Sequence, residues 1–543
     1  MERSEKNMKG HRSVMEIKKL EVNTRYKQAY HANVSSGWSN DPNGMIYFNG
    51  KAHLFFQHYP HQPSWGTMHW GHYVTDDFIK WEELPVALVP DENYEQICGC
   101  CSGNAIAIDN KLYLMYTAAQ PDRQRQCYAI SSDGGVTFKK VANNPILRSE
   151  QLSDEVAKSD FRDPKPFRKD GWFYCLAGTR IIDPNKPDEG SGSYSTYLRY
   201  MSGGNPSMEF DPDGPISGSV SEFTVEPANG YGNMILFRSR DFYHWEYLGK
   251  LIDRTPGFNE NYFKLDGVYE CPDYINFGDT DVILASPQNL PQDGNMYENV
   301  HSSLALIGKL NFETGHFDIR DIQELDAGFD FYAPQNLPMP DGRNIMIAWK
   351  EMWDRSYPTQ EDNWAGTYTL PRELSFKDGR VYQAPVREVE KYHANKVEIS
   401  DLVIADGSAT VPGIEGNIID LTAEFKLNSA NAVGIRFFKG TEHETVIRYD
   451  RNAGTVVMDR TNAGIPLTGK EENINIRTCD VEKTDTIKFR VFLDVISAEV
   501  FINDGRYTIT GNMYPNPEDI GVEFFAEGGE ATVSAVKYDM DVK

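Results

Sequence analysis

A strand–turn–strand pattern recurs along the first 350 residues and constrains the fold more than any other feature of the chain. Each repeat joins two β-rich runs through Asn-Gly, Asp-Asn, Asp-Gly or Gly-Asp, dipeptides that suit tight hairpin turns. The five hairpins cover residues 46–59, 105–117, 165–178, 273–286 and 338–349. Their turns begin at Asn49, Asp109, Asp170, Gly278 and Asp341, so the spacings are 60, 61, 108 and 63 residues.

Five hairpins at a period near 60 residues predict an all-β fold with a five-bladed β-propeller, because radial repetition limits the exposed edges of the sheets. A second motif accompanies most hairpins. Residues 75–81, 131–138 and 239–245 each place an acidic turn before a closing aromatic residue. A β-sandwich of irregular strands is the alternative reading of the same pattern.

The unusually long third spacing indicates an insertion within one repeat. Residues 183–233 supply the surplus and are rich in Gly, Ser and Pro. From about residue 395 the pattern changes to alternating strands without the hairpin motif, which is typical of a separate C-terminal β-sandwich. We therefore expect an N-terminal tail over 1–24, a propeller over 25–390 and a sandwich over 395–543.

The net charge and the cysteine content indicate which partners and which cellular compartment suit this chain. The chain has 543 residues with 54 basic and 80 acidic side chains, a net charge of −26, which disfavours nucleic acid and anionic membranes as partners. No apolar run approaches the ~20 residues that span a bilayer, and the first twenty residues lack the apolar core of a secretory signal. Seven cysteines, an odd number with three of them between 98 and 101, argue against a disulfide framework. We therefore expect a cytoplasmic protein whose thiols are buried or have no chemical role.

Three carboxylates stand at the same phase of the repeat. Asp41, Asp163 and Glu270 lie seven or eight residues before the turns of the first, third and fourth hairpins. In a propeller this phase is the start of the innermost strand, so we expect the three side chains to converge at one mouth of the central channel. Like charges held together should split their pKa values, as glycosidic cleavage by one acid and one carboxylate requires. Solvated turns and a Ca²⁺ site are the alternatives.

The residues around these carboxylates resemble glycoside hydrolase family 32, the family of invertases, fructanases and sucrose-6-phosphate hydrolases. The resemblance covers nearly the whole chain except the tail and the insertion. It is carried by Trp38–Gly44, Gln57–Pro60, Trp65–His72, Cys101–Asn104, Phe161–Pro164, Tyr269–Asp273, Phe329–Gln335, Trp364–Leu374 and Ala498–Gly505. It implies a five-bladed propeller followed by a β-sandwich, and retaining hydrolysis of β-D-fructofuranosides.

The resemblance also implies roles for individual residues. Asp41 would be the nucleophile, Glu270 the acid–base residue, and Asp163 would hold fructose hydroxyls and stabilise the transition state. The positions that match the family's fructose pocket are Asn40, Gln57, Trp65, Ser102, Arg162 and Trp364. Tyr332 lies at the corresponding phase of the fifth blade and is expected to join them.

Several alternatives stay open at this point. Five histidines fall between 53 and 72, but without the spacing of a metal site, so we expect neither a metal nor a cofactor. A small sugar is the expected partner. The sequence does not distinguish sucrose, sucrose-6-phosphate and short fructooligosaccharides, nor hydrolysis from fructosyl transfer, and it leaves a homo-oligomer open. A non-catalytic sugar-binding propeller is a further alternative, but the three carboxylates in register favour the enzyme. We expect the 183–233 insertion to emerge beside the substrate mouth and to favour short substrates.

Overall fold

The computed structural model describes residue 17 and residues 19–95, 98–120, 123–183, 230–254, 267–469 and 473–542. Nearly all of the predicted insertion, residues 184–229, and most of the predicted N-terminal tail lie outside these ranges. Over the described ranges we find no helix with the length and apolar character needed to cross a membrane. Short 3-10 helices lie at Asn93–Glu95, Ser149–Gln151, Pro358–Asp362 and Arg387–Tyr392.

The first part of the chain forms five antiparallel sheets, which are the blades of a propeller. Blade I contains β1 (Gly37–Phe48), β2 (Lys51–Tyr59), β3 (His69–Thr75) and β4 (Glu82–Glu83). Blade II contains β5 (Cys100–Ile108), β6 (Lys111–Gln120), β7 (Arg123–Ser131) and β8 (Lys139–Lys140). Blade III contains β9 (Val156–Lys169), β10 (Trp172–Ile181), β11 (Tyr231–Ser239) and β12 (Trp245–Lys250).

The fourth and fifth blades follow the same order. Blade IV contains β13 (Tyr269–Phe277), β14 (Thr280–Pro287), β15 (Leu304–Leu310) and β16 (Phe317–Glu324). Blade V begins with β17 (Tyr332–Pro338) and β18 (Asn344–Trp349), continues past the short strands β19 (Arg355–Ser356) and β20 (Trp364–Ala365), and ends with β21 (Arg372–Lys377) and β22 (Arg380–Pro385). The predicted five-bladed propeller is confirmed.

The predicted turn dipeptides form the hairpins for the expected reason. Asn49 and Gly50 have φ values of 50° and 85°, and Asp170 and Gly171 have φ values of 50° and 77°. Positive φ at both central residues is the backbone geometry that matches the twist of a two-residue hairpin. In the second motif, the Asp77 carboxylate accepts hydrogen bonds from the backbone of Ile79 and Lys80, so the repeated acidic residue shapes the turn between the third and fourth strands.

The propeller closes between its last and first blades. Strand β20 pairs in parallel with the start of β1, where Gly37 is opposite Trp364 and Trp38 is opposite Ala365. Trp38 also packs edge-on against Trp349, with ring centroids 5.8 Å apart. Hydrogen bonds and aromatic packing thus hold the first and fifth blades together beside the strand that carries Asp41.

The C-terminal part forms a β-sandwich whose two layers share one long strand. Its strands are β23 (His393–Ala409), β24 (Ile418–Lys426), β25 (Ala432–Lys439), β26 (Thr445–Asp450), β27 (Thr455–Asp459), β29 (Ile476–Asp480), β30 (Thr486–Asp494), β31 (Ser497–Ile502), β32 (Tyr507–Asn512) and β33 (Gly521–Met540). The short strand β28 (Thr468–Gly469) pairs instead with β19 in a separate two-stranded sheet. The first part of β33 pairs with β25 and the second with β24. Gly528 and Gly529, both at positive φ, lie where β33 passes from one layer to the other. The predicted C-terminal sandwich is confirmed.

A buried polar network joins the sandwich to the propeller. Arg372 on β21 donates to Glu499 on β31 at 2.6 Å and to Asp326 at 3.0 Å. His31 lies between Asp494 and Glu499, with its two ring nitrogens 2.7 and 2.9 Å from their carboxylate oxygens. These polar side chains are buried and hydrogen-bonded to one another, so polar contacts as well as apolar packing hold this interface.

The strands that border the predicted insertion are β10 and β11, and β11 begins at Tyr231, two residues before the predicted end of the insertion at residue 233. Strand β10 ends at Ile181, which pairs with Tyr231 at the start of β11. On the same strand, Gly178 pairs with Arg162 near the start of the innermost strand of blade III. The last residue of β10 and the first residue of β11 therefore lie at the end of the blade that carries Arg162 and Asp163.

Candidate active site

A β-bulge interrupts each innermost strand at the position that carries the predicted site residues. The interruptions fall between Ser39 and Pro42, Cys101 and Gly103, Arg162 and Lys165, Glu270 and Asp273, and Tyr332 and Gln335. A bulge re-aims the side chains of the bulged strand, and bulges are common beside active sites. Five bulges at one level turn five sets of side chains towards the central channel.

The bulges of blades III, IV and V share an unusual backbone. Asp163, Cys271 and Ala333 have φ values of 60°, 49° and 51°, and each precedes a proline. This left-handed conformation is rare outside glycine and is found at functional sites. The shared conformation aligns Asp163 with Cys271, and Arg162 with Glu270. The predicted carboxylates thus occupy two adjacent positions of the repeat.

Asp41 on β1 is held through one of its two oxygens. Its Oδ2 accepts a hydrogen bond from Ser102 of blade II at 2.7 Å. Its Oδ1 is buried and has no hydrogen-bond partner among the described residues. Burial and the negative charge of Glu270 raise the pKa of Asp41 to about 6. The carboxyl group is therefore fixed in orientation with one oxygen left uncommitted.

Glu270 on β13 is held from two sides and is partly open, with 18% of its side chain exposed. Its Oε1 accepts hydrogen bonds from Nε of Arg162 at 3.1 Å and lies 3.1 Å from Nη2 of the same side chain. Its Oε2 accepts a hydrogen bond from the hydroxyl of Tyr332 at 2.6 Å. That hydroxyl also lies 3.3 Å from the carbonyl oxygen of Ser286. Residues from the two neighbouring blades, Arg162 of blade III and Tyr332 of blade V, therefore position this one carboxyl group.

Cys271 links Asp163 on β9 to Asp41 on β1. The Cys271 amide donates to Asp163 Oδ2 at 2.9 Å, and its Sγ lies 3.6 Å from Asp41 Oδ2 and 3.8 Å from Asp163 Oδ2. The Asp163 amide donates to the hydroxyl of Thr117 at 3.0 Å. Burial and the charge of Glu270 raise the pKa of Asp163, and Arg162 opposes that rise. The pKa values of two clustered carboxyls are thus raised.

The other predicted pocket residues lie around this centre. Asn40 precedes Asp41 and accepts a hydrogen bond from the Trp38 indole at 2.9 Å. Gln57 donates to the Cys100 carbonyl at 2.9 Å, on the strand that carries Ser102. Trp65 is half-buried in the connection between β2 and β3.

Trp364 has a different environment. Its side chain is fully buried, and Nζ of Lys27 lies 3.7 Å from the centre of its ring. It also pairs with Gly37 at the propeller closure. The structure places Trp364 beside the start of β1, whereas its contact with a sugar stays a prediction.

Sequence reasoning missed two residues that the structure adds to the centre, Cys271 and Thr117. Cys271 lies between Glu270 and a proline within a motif already identified, so its position was visible but its contacts with two carboxylates were not. Thr117 is on the second strand of blade II, where nothing in the sequence distinguishes it. Within the described ranges, no group of three or more His, Cys, Asp or Glu side chains could hold a metal ion.

A propeller that gathers three carboxyl groups, one of them held by an arginine and a tyrosine, has the groups that a glycosidase needs. Comparison with known families agrees. The glycosyl hydrolases family 32 N-terminal domain matches residues 31–190 and 215–385, and the C-terminal domain of that family matches residues 386–540. The chain belongs to glycoside hydrolase family 32.

Individual relatives span nearly the whole chain. A sucrose-6-phosphate hydrolase of Zymomonas mobilis is 30% identical over 532 residues, which cover 95% of this chain and 92% of that protein. The raffinose invertase of Escherichia coli is 31% identical over 516 residues, which cover 93% of each protein. The solved structure of a Bombyx mori β-fructofuranosidase has a TM-score of 0.72 and 28% identity, covering 96% of both chains. A variant of that enzyme was solved in complex with sucrose.

Proposed function

We propose that this glycosidase is a retaining β-fructofuranosidase in which Asp41 is the nucleophile and Glu270 the acid–base residue. One observation carries the proposal. Asp41 is pinned through Oδ2 and leaves Oδ1 uncommitted, while Glu270 is held in the same centre by Arg162 and Tyr332. A fixed nucleophile and a separately held carboxyl are the two groups that retaining hydrolysis needs.

In the first step, Asp41 Oδ1 attacks the anomeric carbon of the fructosyl unit and forms an ester. The bond from that carbon to the leaving oxygen breaks, and Glu270 donates its proton to that oxygen. Arg162 approaches Oε1, so the proton is best carried on Oε2, beside Tyr332. In that state the Tyr332 hydroxyl accepts from Glu270 and donates to the Ser286 carbonyl instead.

In the second step, Glu270 is ionised and takes a proton from a water molecule as the water attacks the fructosyl ester. Fructose leaves and Asp41 is regenerated as a carboxylate. Asp163 lies across Cys271 from Asp41 and would hold fructose hydroxyls and stabilise the positive charge that develops on the sugar ring. Asn40, Gln57, Trp65, Ser102 and Trp364 would complete the pocket.

We also propose that the substrates are sucrose, sucrose-6-phosphate or short fructooligosaccharides, since the relatives include sucrose-6-phosphate hydrolases and an invertase. A cytoplasmic location is supported by the seven cysteines, all of which are free thiols. We assign residues 25–390 to the catalytic propeller and 395–543 to the sandwich. The change of sheet between β22 and β23 supports this division.

Product analysis on sucrose, sucrose-6-phosphate, 1-kestose, inulin and levan tests the proposal. We expect free fructose from at least one of the short substrates, with retention of the anomeric configuration in the first product. The matched variant Asp41→Asn should lose nearly all turnover, because it forms no ester intermediate. Inverted product, or Asp41→Asn retaining more than a small part of the activity, would contradict the proposal.

A further inference from the structure

A buried carboxylate contacts the edge of the Arg162 guanidinium that Glu270 leaves free. Asp160 Oδ1 accepts a hydrogen bond from Arg162 Nη1 at 2.7 Å, whereas Glu270 contacts Nε and Nη2. Asp160 Oδ2 accepts a hydrogen bond from Arg180 Nε, also at 2.7 Å. Asp160 and Arg180 are both fully buried. Four charges of alternating sign thus lie in a row that ends at Glu270.

Strand geometry explains why these side chains meet. Asp160 and Arg162 are two residues apart on β9, so both point to the same face of the sheet. Gly178 on β10 pairs with Arg162, which puts Arg180, two residues further along, on that face as well. A Cβ at Gly178 would lie 2.2 Å from the carbonyl oxygen of Tyr269, so the glycine lets the strand that carries Glu270 approach.

The row of charges has a consequence for the acid–base cycle. Glu270 must be neutral before the first step and ionised before the second. While Glu270 carries its proton, Asp160 is the ionised carboxylate that is hydrogen-bonded to the buried Arg162. A buried guanidinium without its counter-charge raises the free energy of the folded protein, so the guanidinium moves towards the negative charge that remains. Without Asp160, that remaining hydrogen-bonded charge is Glu270.

We propose that Asp160 is a positioning residue for the acid–base step, which holds Arg162 in place and balances its charge while Glu270 is protonated. The inference rests on the proposed role of Glu270. Arg180 completes the arrangement by binding the second oxygen of Asp160. Asp160 does not touch the substrate in this role and acts only through Arg162.

The variant Asp160→Asn tests the proposal through the pH profile of kcat/KM on sucrose. The groups that face Glu270 are Arg162 and Tyr332 by hydrogen bonds, and Asp41, Asp163 and Cys271 within the same centre. Loss of the Asp160 charge leaves the charge of Arg162 to act on Glu270, which favours the carboxylate over the protonated form that the first step needs. We expect the alkaline limb of the profile to move down by about one pH unit. On the alkaline side of the limb, kcat/KM on sucrose should therefore fall by up to about tenfold, with little change on the acid side.

Substrates with different leaving groups separate a positioning role from a structural one. p-Nitrophenyl β-fructofuranoside needs little protonation, so Asp160→Asn should retain much more of its activity on this substrate than on sucrose. Asp160→Glu keeps the charge and should restore the alkaline limb. Equal losses on both substrates with an unmoved limb would overturn the inference.

A second variant tests the sign of the effect and covers the case in which Asp160→Asn does not fold. Arg180→Gln leaves Asp160 with Arg162 as its hydrogen-bonded cation, so more of the Arg162 charge is balanced there. The alkaline limb should then move to higher pH. A downward movement in folded Arg180→Gln would overturn the inference.

Glu270→Gln, assayed beside these variants, distinguishes this inference from the proposed function. If Glu270→Gln loses much more activity on sucrose than on the aryl substrate while Asp160→Asn does not, the role of Glu270 stands and that of Asp160 fails. If Glu270→Gln loses both activities equally, the acid–base assignment itself fails. The inference is supported when both variants show the same preference for the better leaving group.

Discussion

The substitution Asp41→Asn should stabilise the fold while it removes activity. Burial and Glu270 raise the pKa of Asp41 from 3.8 to about 6, so the folded protein holds this carboxylate at a cost when it is ionised. One pKa unit corresponds to about 1.4 kcal/mol, which gives up to about 3 kcal/mol at pH 7. An asparagine keeps the shape and still accepts from Ser102, but carries no charge.

The dependence on pH gives this prediction its sign. Folded Asp41 binds its proton more tightly than unfolded Asp41, so wild-type stability falls as the pH rises from about 4 to about 6. The variant does not titrate at this position. Its advantage should therefore be absent near pH 4, grow between pH 4 and 6, and stay constant above that range.

Guanidinium unfolding of both proteins at pH 4 and pH 7 measures the effect. Asp330→Asn is the control of opposite sign. Despite burial, Arg460 and Arg355 hold the pKa of Asp330 below its usual value, and both donate to its carboxylate. This control should lose stability at pH 7. If Asp41→Asn is no more stable than wild type at pH 7, or equally more stable at both pH values, the reasoning is refuted.

Two further predictions concern stability. Burial lowers the pKa of His58 to about 4 and that of His69 to about 3. The unfolded chain therefore binds protons at a higher pH than the folded protein does, so the free energy of unfolding should fall as the pH drops from about 6.5 to 4. Unfolding curves of His58→Asn should show a smaller loss of stability than wild type over that window. Arg372→Met should lower the free energy of unfolding in urea by about 3–5 kcal/mol, because it leaves the buried carboxylates of Glu499 and Asp326 without their cation. A loss below about 1 kcal/mol would show that charge pairing does not hold this interface.

The repeat could be predicted from the sequence because local chemistry determines it. Asn49-Gly50 and Asp170-Gly171 adopt positive φ with little strain, so such dipeptides locate the hairpin turns without knowledge of the rest of the structure. Counting back from the turns of the first, third and fourth hairpins also reached the bulges where Asp41, Asp163 and Glu270 lie. The same local logic found the sandwich strands, whose alternation follows directly from one buried face.

Features that depend on contacts between distant strands could not be predicted. The left-handed backbone at Asp163 and Cys271 is not indicated by residue type, because residues other than glycine rarely adopt it. The meeting of Asp160 with Arg180 depends on the register between β9 and β10. The pKa of Asp41 depends on how deeply three blades bury it together, a quantity that spacing along the chain does not contain.

Trapping of the covalent intermediate tests the central claim most directly. The variant Glu270→Gln lacks the base for the second step, so p-nitrophenyl β-fructofuranoside should fructosylate the enzyme faster than water releases it. Acid quenching, proteolysis and mass spectrometry should then find one fructosyl unit on the peptide that contains Asp41, with fragmentation placing it on that residue. The double variant Asp41→Asn/Glu270→Gln should carry none. A fructosyl unit on Asp163, or an unlabelled enzyme that still releases nitrophenol in a stoichiometric burst, would contradict the account.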